Sequence, residues 1–349
     1  MTRLLVVGRD VDDAQRRKLA ALGAEFDLRA LSWRDRSRSG ALDYAFLPLR
    51  VARELRRFRP DAMLVQGAHE TALALAGRRL AGTETKIVLD VHGDWRAPTR
   101  LYGSRLRALL APAADRIALA ALRRVDGVRS ITPYTTRLLR DAGVEPLAEF
   151  PAFMELEAFL ERPPLGLPER PRAVFVGVLE RSKNIDGLLA AWPAVRAQVA
   201  DAELQVVGDG ALRPLVERSL GRSVTWTPRL PADGVARALD DAWCLVLPSH
   251  SEGMGRVVVE AFCRGRCVVG TRVGGIADLV ADGVSGLLVP AGDGSALADA
   301  LARVLSDRSL AARLGEGARR SADAWGTTPE EFARRLRDLV AAVTEPESR

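Results

Sequence analysis

The sequence predicts an α/β protein made of two doubly wound, Rossmann-like domains that face each other across an inter-domain cleft. Three observations carry that prediction. The chain has 349 residues, too many for one ordinary domain and enough for two. Short apolar runs alternate with longer amphipathic ones from start to finish, the pattern of parallel sheets covered by helices on both faces. A proline-rich stretch at mid-chain, with Pro151, Pro163, Pro164, Pro168 and Pro171, reads as a linker between two such series.

The elements follow in order. In the first half the strand candidates are Leu4–Gly8, Phe26–Leu31, Ala62–Gln66, Lys86–His92 and Gly127–Thr132, with helical stretches such as Asp13–Leu22 and Pro48–Phe58 between them. In the second half the strands are Ala173–Val178, Leu204–Gly208, Val224–Thr227, Cys244–Pro248, Cys267–Thr271 and Gly286–Val289. Helices over Ile185–Val199, Leu212–Leu220, Ala232–Ala242, Arg256–Arg264 and Ser295–Leu305 separate them. This gives a first domain over residues 1–155, a linker over 156–172 and a second domain over 173–325. A closing helix over 326–345 packs back toward the first domain. Ligands in such sheets bind outside the carboxyl ends of the strands, so a cleft between two domains holds two substrates, one on each. No internal repeat is evident.

Composition narrows the class. Hydrophobic residues make up 48% of the chain, enough for two cores. Met1-Thr2-Arg3 leads directly into a strand, so no leader is expected. No apolar run reaches the roughly 20 residues that span a bilayer. Three cysteines are an odd number, and Cys263 and Cys267 have no histidines near them in sequence, so small buried thiols are expected rather than disulfides or a metal site. A cytoplasmic protein is the expectation. The net charge is +6, yet only Lys18, Lys86 and Lys183 are lysines. Such an arginine skew fits the codon bias of a GC-rich source, so the global charge does not point to nucleic acid.

The segment richest in chemistry runs from Leu247 to Ala261. A strand ends at Pro248, a glycine-bearing loop follows, and a helix starts near Gly255–Val257. Gly253 and Gly255 let backbone approach a ligand, and the unpaired N–H groups of a helix start attract anions and hydroxyl oxygens. Glu252 stands before this helix and Glu260 about one turn inside it. Carboxylates accept paired hydrogen bonds from vicinal diols such as those of sugars and riboses. Glu260 sits in an apolar run, Val257-Val258-Val259 and Ala261-Phe262-Cys263, where a carboxylate needs a partner.

Glu252 and Glu260, with seven residues between them, resemble the E-x7-E signature of the retaining family 4 glycosyltransferases. The resemblance extends to Gly177 through Lys183, to Val207-Gly208-Asp209-Gly210, to Gly274-Gly275-Ile276 and to the strand entered at Asp282-Gly283. It covers about residues 173–305; in the first half only Val91-His92-Gly93 is similar. It implies the GT-B fold and a transferase that moves a sugar from a nucleotide-diphosphate donor, with retention and without a metal or other cofactor. It implies that Glu260 holds the donor ribose and Glu252 the transferred sugar, with backbone N–H groups from Gly253, Met254, Gly255 and Arg256 supporting that sugar. It implies further that Lys183 neutralises the leaving diphosphate and that His92 reaches the sugar. Gly177, Arg181, Gly208, Gly274 and Gly275 complete the donor set.

Physical chemistry agrees with these roles. Breaking a glycosyl–phosphate bond builds positive charge on the sugar and negative charge on the diphosphate, which fixed cations and helix dipoles stabilise. A lysine in an arginine-dominated chain is a compact charge suited to phosphate oxygens. The chain also departs from the family: Val178 stands five positions before Lys183, where an arginine is usual, and Arg181 or Arg256 are candidates to compensate. Asp10 and Asp12 spell the D-x-D of metal-dependent transferases, but in this loop they read as an acidic cluster before a helix.

Other readings stay open on the same scaffold: a nucleotide-sugar epimerase, a phosphorylase, or an inactive sugar-nucleotide-binding protein. A dinucleotide dehydrogenase lacks support, because no G-x-G-x-x-G follows the first strand. The acceptor is expected to be a carbohydrate or a lipid-linked or cell-envelope glycan. Arginines between Arg100 and Arg140, interleaved with leucines, suggest peripheral docking on an anionic membrane.

Overall fold

The computed structural model describes residues 1–8, 13–32, 40–97 and 105–345. The chain forms two compact units, Met1–Phe153 with Thr327–Arg349, and Met154–Gly326.

The first unit runs β1 (Arg3–Gly8), α1 (Asp13–Glu25), β2 (Asp27–Ser32), α2 (Gly40–Phe58), β3 (Ala62–Gln66), α3 (Ala68–Ala81), β4 (Lys86–Val91), α4 (Arg105–Leu122), β5 (Gly127–Ser130), α5 (Pro133–Asp141) and β6 (Ala148–Glu149). Its six strands lie in the order β2-β1-β3-β4-β5-β6, with every pairing parallel. Side chains alternate across a strand, so β1 feeds two cores. Leu4 and Val6 join Leu64, Val88, Phe332 and Leu336 on one face. Leu5 and Val7 join Val51, Leu55, Met63 and Val65 on the other. Phe332 and Leu336 come from the helix Pro329–Thr344, which is thereby part of this unit's core.

Two details differ from the sequence pattern. The helix expected to start at Pro48 starts at Gly40 and carries Pro48 inside it. A proline is well suited to a helix's first turn, which made Pro48 look like a beginning. The short β6 was not expected, since two residues carry no periodicity.

The second unit runs α6 (Glu157–Leu160), β7 (Arg172–Val176), a 3-10 turn at Arg181–Lys183, α7 (Ile185–Gln198), β8 (Glu203–Val207), α8 (Arg213–Arg218), β9 (Val224–Thr227), α9 (Ala232–Asp240), β10 (Cys244–Leu247), α10 (Arg256–Cys263), β11 (Cys267–Thr271), α11 (Gly274–Leu279), β12 (Gly286–Val289), α12 (Gly294–Ser306) and α13 (Arg308–Ala322). The strand order is β12-β11-β10-β7-β8-β9, again all parallel. Chain direction across the sheet reverses between β7 and β10. That is the switch point where ligands bind in doubly wound sheets.

The proline-rich segment is anchored within this unit. Buried Arg264 donates to the carbonyls of Phe159, Arg162 and Pro163, and buried Arg266 to those of Leu165 and Gly166. Asp240 balances the charge, 2.8 Å from the Arg264 guanidinium. Prolines leave carbonyls without strand or helix partners, and arginine, with five donors, satisfies several at once.

Candidate functional site

At the switch point of the second unit the loops after β7 and β10 are tied together. The His250 N–H donates to the Ser182 carbonyl at 2.8 Å, and the Lys183 ammonium donates to Glu252 Oε2. Lys183 and Glu252 are both largely shielded, so this ion pair is less screened than a surface pair. The Glu252 carbonyl accepts from the Gly275 N–H at 3.1 Å, which fixes the loop from the other side. Thr271 Oγ1 donates to the Ser249 carbonyl at 2.5 Å.

The glycines earn their places by close approach. A Cβ on Gly274, which has φ +50, would stand 1.8 Å from the Glu252 carbonyl oxygen, and one on Gly275 2.3 Å from that of Gly253. A Cβ on Gly208 would stand 1.8 Å from the Gly177 carbonyl oxygen. The N–H groups of Gly177, Gly208 and Gly275 are already spent on Val207, Thr227 and Glu252. These three glycines therefore shape the loops and bring no backbone donor of their own to a ligand.

Gly255 caps α10 with φ 80, a left-handed conformation that glycine adopts without cost. The N–H groups of Gly255 and Arg256 make no hydrogen bond among the described residues. Met254 is buried. Arg256 and Arg181 are exposed and form no ion pair with any described residue. Val178 is exposed as well. Glu260 is part-buried and accepts no hydrogen bond from any described residue. Burial raises its carboxyl above the usual range, and Arg256 opposes that shift.

In the first unit His92 follows β4 and is partly exposed. Its Nε2 lies 2.8 Å from Asp90 Oδ2. Asp90 is fully buried and accepts from Arg129 Nη1 at 2.5 Å. Burial disfavours the ionised Asp90 carboxyl, but Arg129 and His92 together hold it well below the ordinary range. Burial in turn lowers the Arg129 guanidinium, and Asp90 opposes that. Arg129 also donates to the carbonyls of Phe150 and Pro151, at 3.0 and 2.5 Å. The sequence reading missed Asp90 and counted Arg129 among surface arginines. The available signal was a charge inside each of two strands, Lys86–Val91 and Gly127–Ser130, that are buried almost throughout.

Asp10 and Asp12 lie outside the described residues, as do Arg100 and Leu101. No cluster of three or more metal-ligating side chains occurs among the described residues. All three cysteines are buried and free.

Two family descriptions match the chain: Glycosyl transferases group 1 over residues 170–307, and Glycosyl transferase 4-like domain over residues 3–149. A D-inositol 3-phosphate glycosyltransferase of Salinispora arenicola is 38% identical over 200 residues, 52% of this chain and 45% of that protein. The chain spans about half the length of the named relatives it matches. Among solved structures, sucrose-phosphate synthase from Thermosynechococcus elongatus superposes with a TM-score of 0.80 at 20% identity, covering 98% of this chain and 100% of that one. The Anabaena protein HepE in complex with UDP superposes at 0.70 with 14% identity, covering 98% and 100%. At such identities the likeness is one of fold.

Proposed function

Because the chain belongs to the group 1 glycosyl transferases, of the GT-B fold, we propose that it transfers a sugar from a nucleotide-diphosphate donor to a hydroxyl acceptor, with retention and without a metal. The observation that carries the reading is the Lys183–Glu252 pair at the switch point of the second sheet. It stands beside the N–H groups of Gly255 and Arg256 and a Glu260 carboxyl, none of which makes a hydrogen bond among the described residues.

In this reading Glu260 accepts from the ribose hydroxyls and Glu252 from the transferred sugar. Lys183 turns from Glu252 toward the diphosphate as the glycosyl–oxygen bond breaks. The acceptor oxygen forms the new bond to the anomeric carbon on the face the diphosphate leaves, and its proton passes to the departing phosphate oxygen. Lysine and the α10 start together offset the charge that a metal would otherwise meet. His92, in the first unit, attends the reacting sugar.

A second observation favours a membrane-linked acceptor. On α4, Leu119 and Leu122 face the core, but Leu109, Leu110 and Ile117 are exposed beside exposed Arg116. An apolar face beside an arginine suits the boundary of an acidic bilayer. No helix among the described residues is long and apolar enough to cross one.

A thermal-shift screen across UDP-, GDP-, ADP- and TDP-sugars tests the donor site through ligand-linked stabilisation. One donor class should raise the melting temperature, and nucleoside diphosphate should then be released only when an acceptor is added. Turnover of the donor without acceptor would point to an epimerase, and no stabilisation by any nucleotide sugar would overturn the reading.

A further inference from the structure

His92 does not stand alone at the end of β4. Side chains two apart on an extended strand share a face, which places Asp90 and His92 on one side. Across the sheet, Asp90 of β4 is the register partner of Arg129 of β5. The three side chains therefore form one row: guanidinium, carboxylate, imidazole. Its inner two members are fully buried, and only the imidazole reaches the surface. Each Asp90 oxygen has its own partner, Oδ1 with Arg129 and Oδ2 with His92.

We propose that Asp90, paired with Arg129, is a positioning residue that fixes His92 as the Nε2–H tautomer and so offers Nδ1 to substrate. The inference rests on the reading of His92 as the residue that attends the reacting sugar.

The argument is one of donors and acceptors. An ionised carboxylate only accepts, so the ring nitrogen facing it must carry the hydrogen. The other nitrogen of a neutral imidazole is then a lone pair, free to accept from a sugar hydroxyl and to become a donor on protonation. Arg129 keeps Asp90 ionised despite its burial, and Lys18 adds to the positive field. Arg129 is itself immobile, since Phe150 and Pro151 hold its second nitrogen. Rotation of the ring would forfeit a charge-assisted hydrogen bond in a water-excluded place. Phe150 and Phe332 cover the guanidinium face at 4.0 and 5.0 Å and exclude water from it.

The chain has three histidines, so the imidazole nitrogens of 15N-labelled protein can be assigned with single His→Gln variants. At a pH where the ring is neutral, His92 should show a protonated Nε2 and an unprotonated Nδ1. Asp90→Asn keeps the shape, gives its amide oxygen to Arg129 and turns its NH2 toward Nε2. The proton should then move to Nδ1. With donor KM near wild type, kcat should fall about 100-fold, the scale for one misaligned contact to the reacting sugar. A protonated Nδ1 in the wild-type protein would overturn the proposal even if Asp90→Asn failed to fold. So would wild-type kcat in a folded Asp90→Asn. Wild-type turnover in His92→Gln would sink the assigned role through its premise, with the measured tautomer left standing, and so separates the two failures.

Discussion

Lys183 and Glu252, 69 residues apart in sequence, form an ion pair across the point where the strand order of the second sheet reverses. Both side chains are largely shielded from solvent. Lys183→Ala should lower the rate about 100- to 1000-fold, the scale for one preorganised electrostatic stabiliser. Glu252→Ala should chiefly lower turnover. The double variant should lose less than the product of the two, because each single change also leaves a shielded charge unpaired. Single and double variants compared by kcat/KM decide it. Losses that add to within about 0.5 kcal/mol would show that the pair acts as two independent residues.

Glu260 combines burial with the lack of a hydrogen-bond partner among the described residues, and its raised carboxyl has a definite sign for stability. The unfolded chain ionises first, near the ordinary glutamate value of about 4.3, while the folded carboxyl still resists. Stability is thus lost as pH rises through that window and stays lost above the folded value. Glu260→Gln should equal the wild type in stability at low pH and exceed it at neutral pH. The same variant should bind donor more weakly by roughly 1–3 kcal/mol. Urea unfolding at a series of pH values, with calorimetric titration of donor, measures both. Parallel stability profiles would mean that the carboxyl is satisfied within the fold.

Burial pushes the Cys263 thiol up to about 11 and the Cys267 thiol up to about 12, and raises Cys244 well above the usual value. The thiolate is the reactive form, so none of the three should alkylate at neutral pH in the native protein. Three adducts should appear together in denaturant. Mass spectrometry after iodoacetamide treatment reads this, and one fast native adduct would contradict the burial of that thiol.

The exposed apolar face of α4 predicts sedimentation with vesicles that contain acidic lipid, and weaker sedimentation as salt rises. Leu109→Gln with Ile117→Gln should reduce it, and so should Arg116→Gln. Arg129→Gln is no probe of the membrane, because that arginine is buried against Asp90. Absence of sedimentation at low salt would favour an acceptor free in solution.

Much of the fold was legible because apolar runs such as Leu4-Leu5-Val6-Val7 and Cys267-Val268-Val269 admit few readings. What escaped was local or relational. Residues 148 and 149 make a strand too short to show a period, and Pro48 mimicked a helix start. The E-x7-E spacing pointed to Glu252 and Glu260, but nothing local pairs Glu252 with Lys183. That contact depends on the reversal of strand order, which sets β7 beside β10. Asp90 and Arg129 were hidden for the same reason. Each stands in sequence as a single charge within a strand, and only the register of β4 against β5 brings the two together. Gly177, Gly208 and Gly275 were recognisable as a pattern, yet their work, the close approach of one loop to another, exists only in three dimensions.

The discontinuity of the first unit bears on how the protein is made. Phe332, Leu336, Leu339 and Val340 fill the same core as Leu4, Val6, Leu64 and Val88. A ribosome that has finished residue 153 must translate all of the second unit before it supplies them. At about 5–20 residues per second the delay is on the order of ten to thirty seconds. Throughout it, one face of the first sheet lacks its cover and stays open to chaperones and proteases, whereas the second unit, contiguous in sequence, can close as soon as its own last residues emerge.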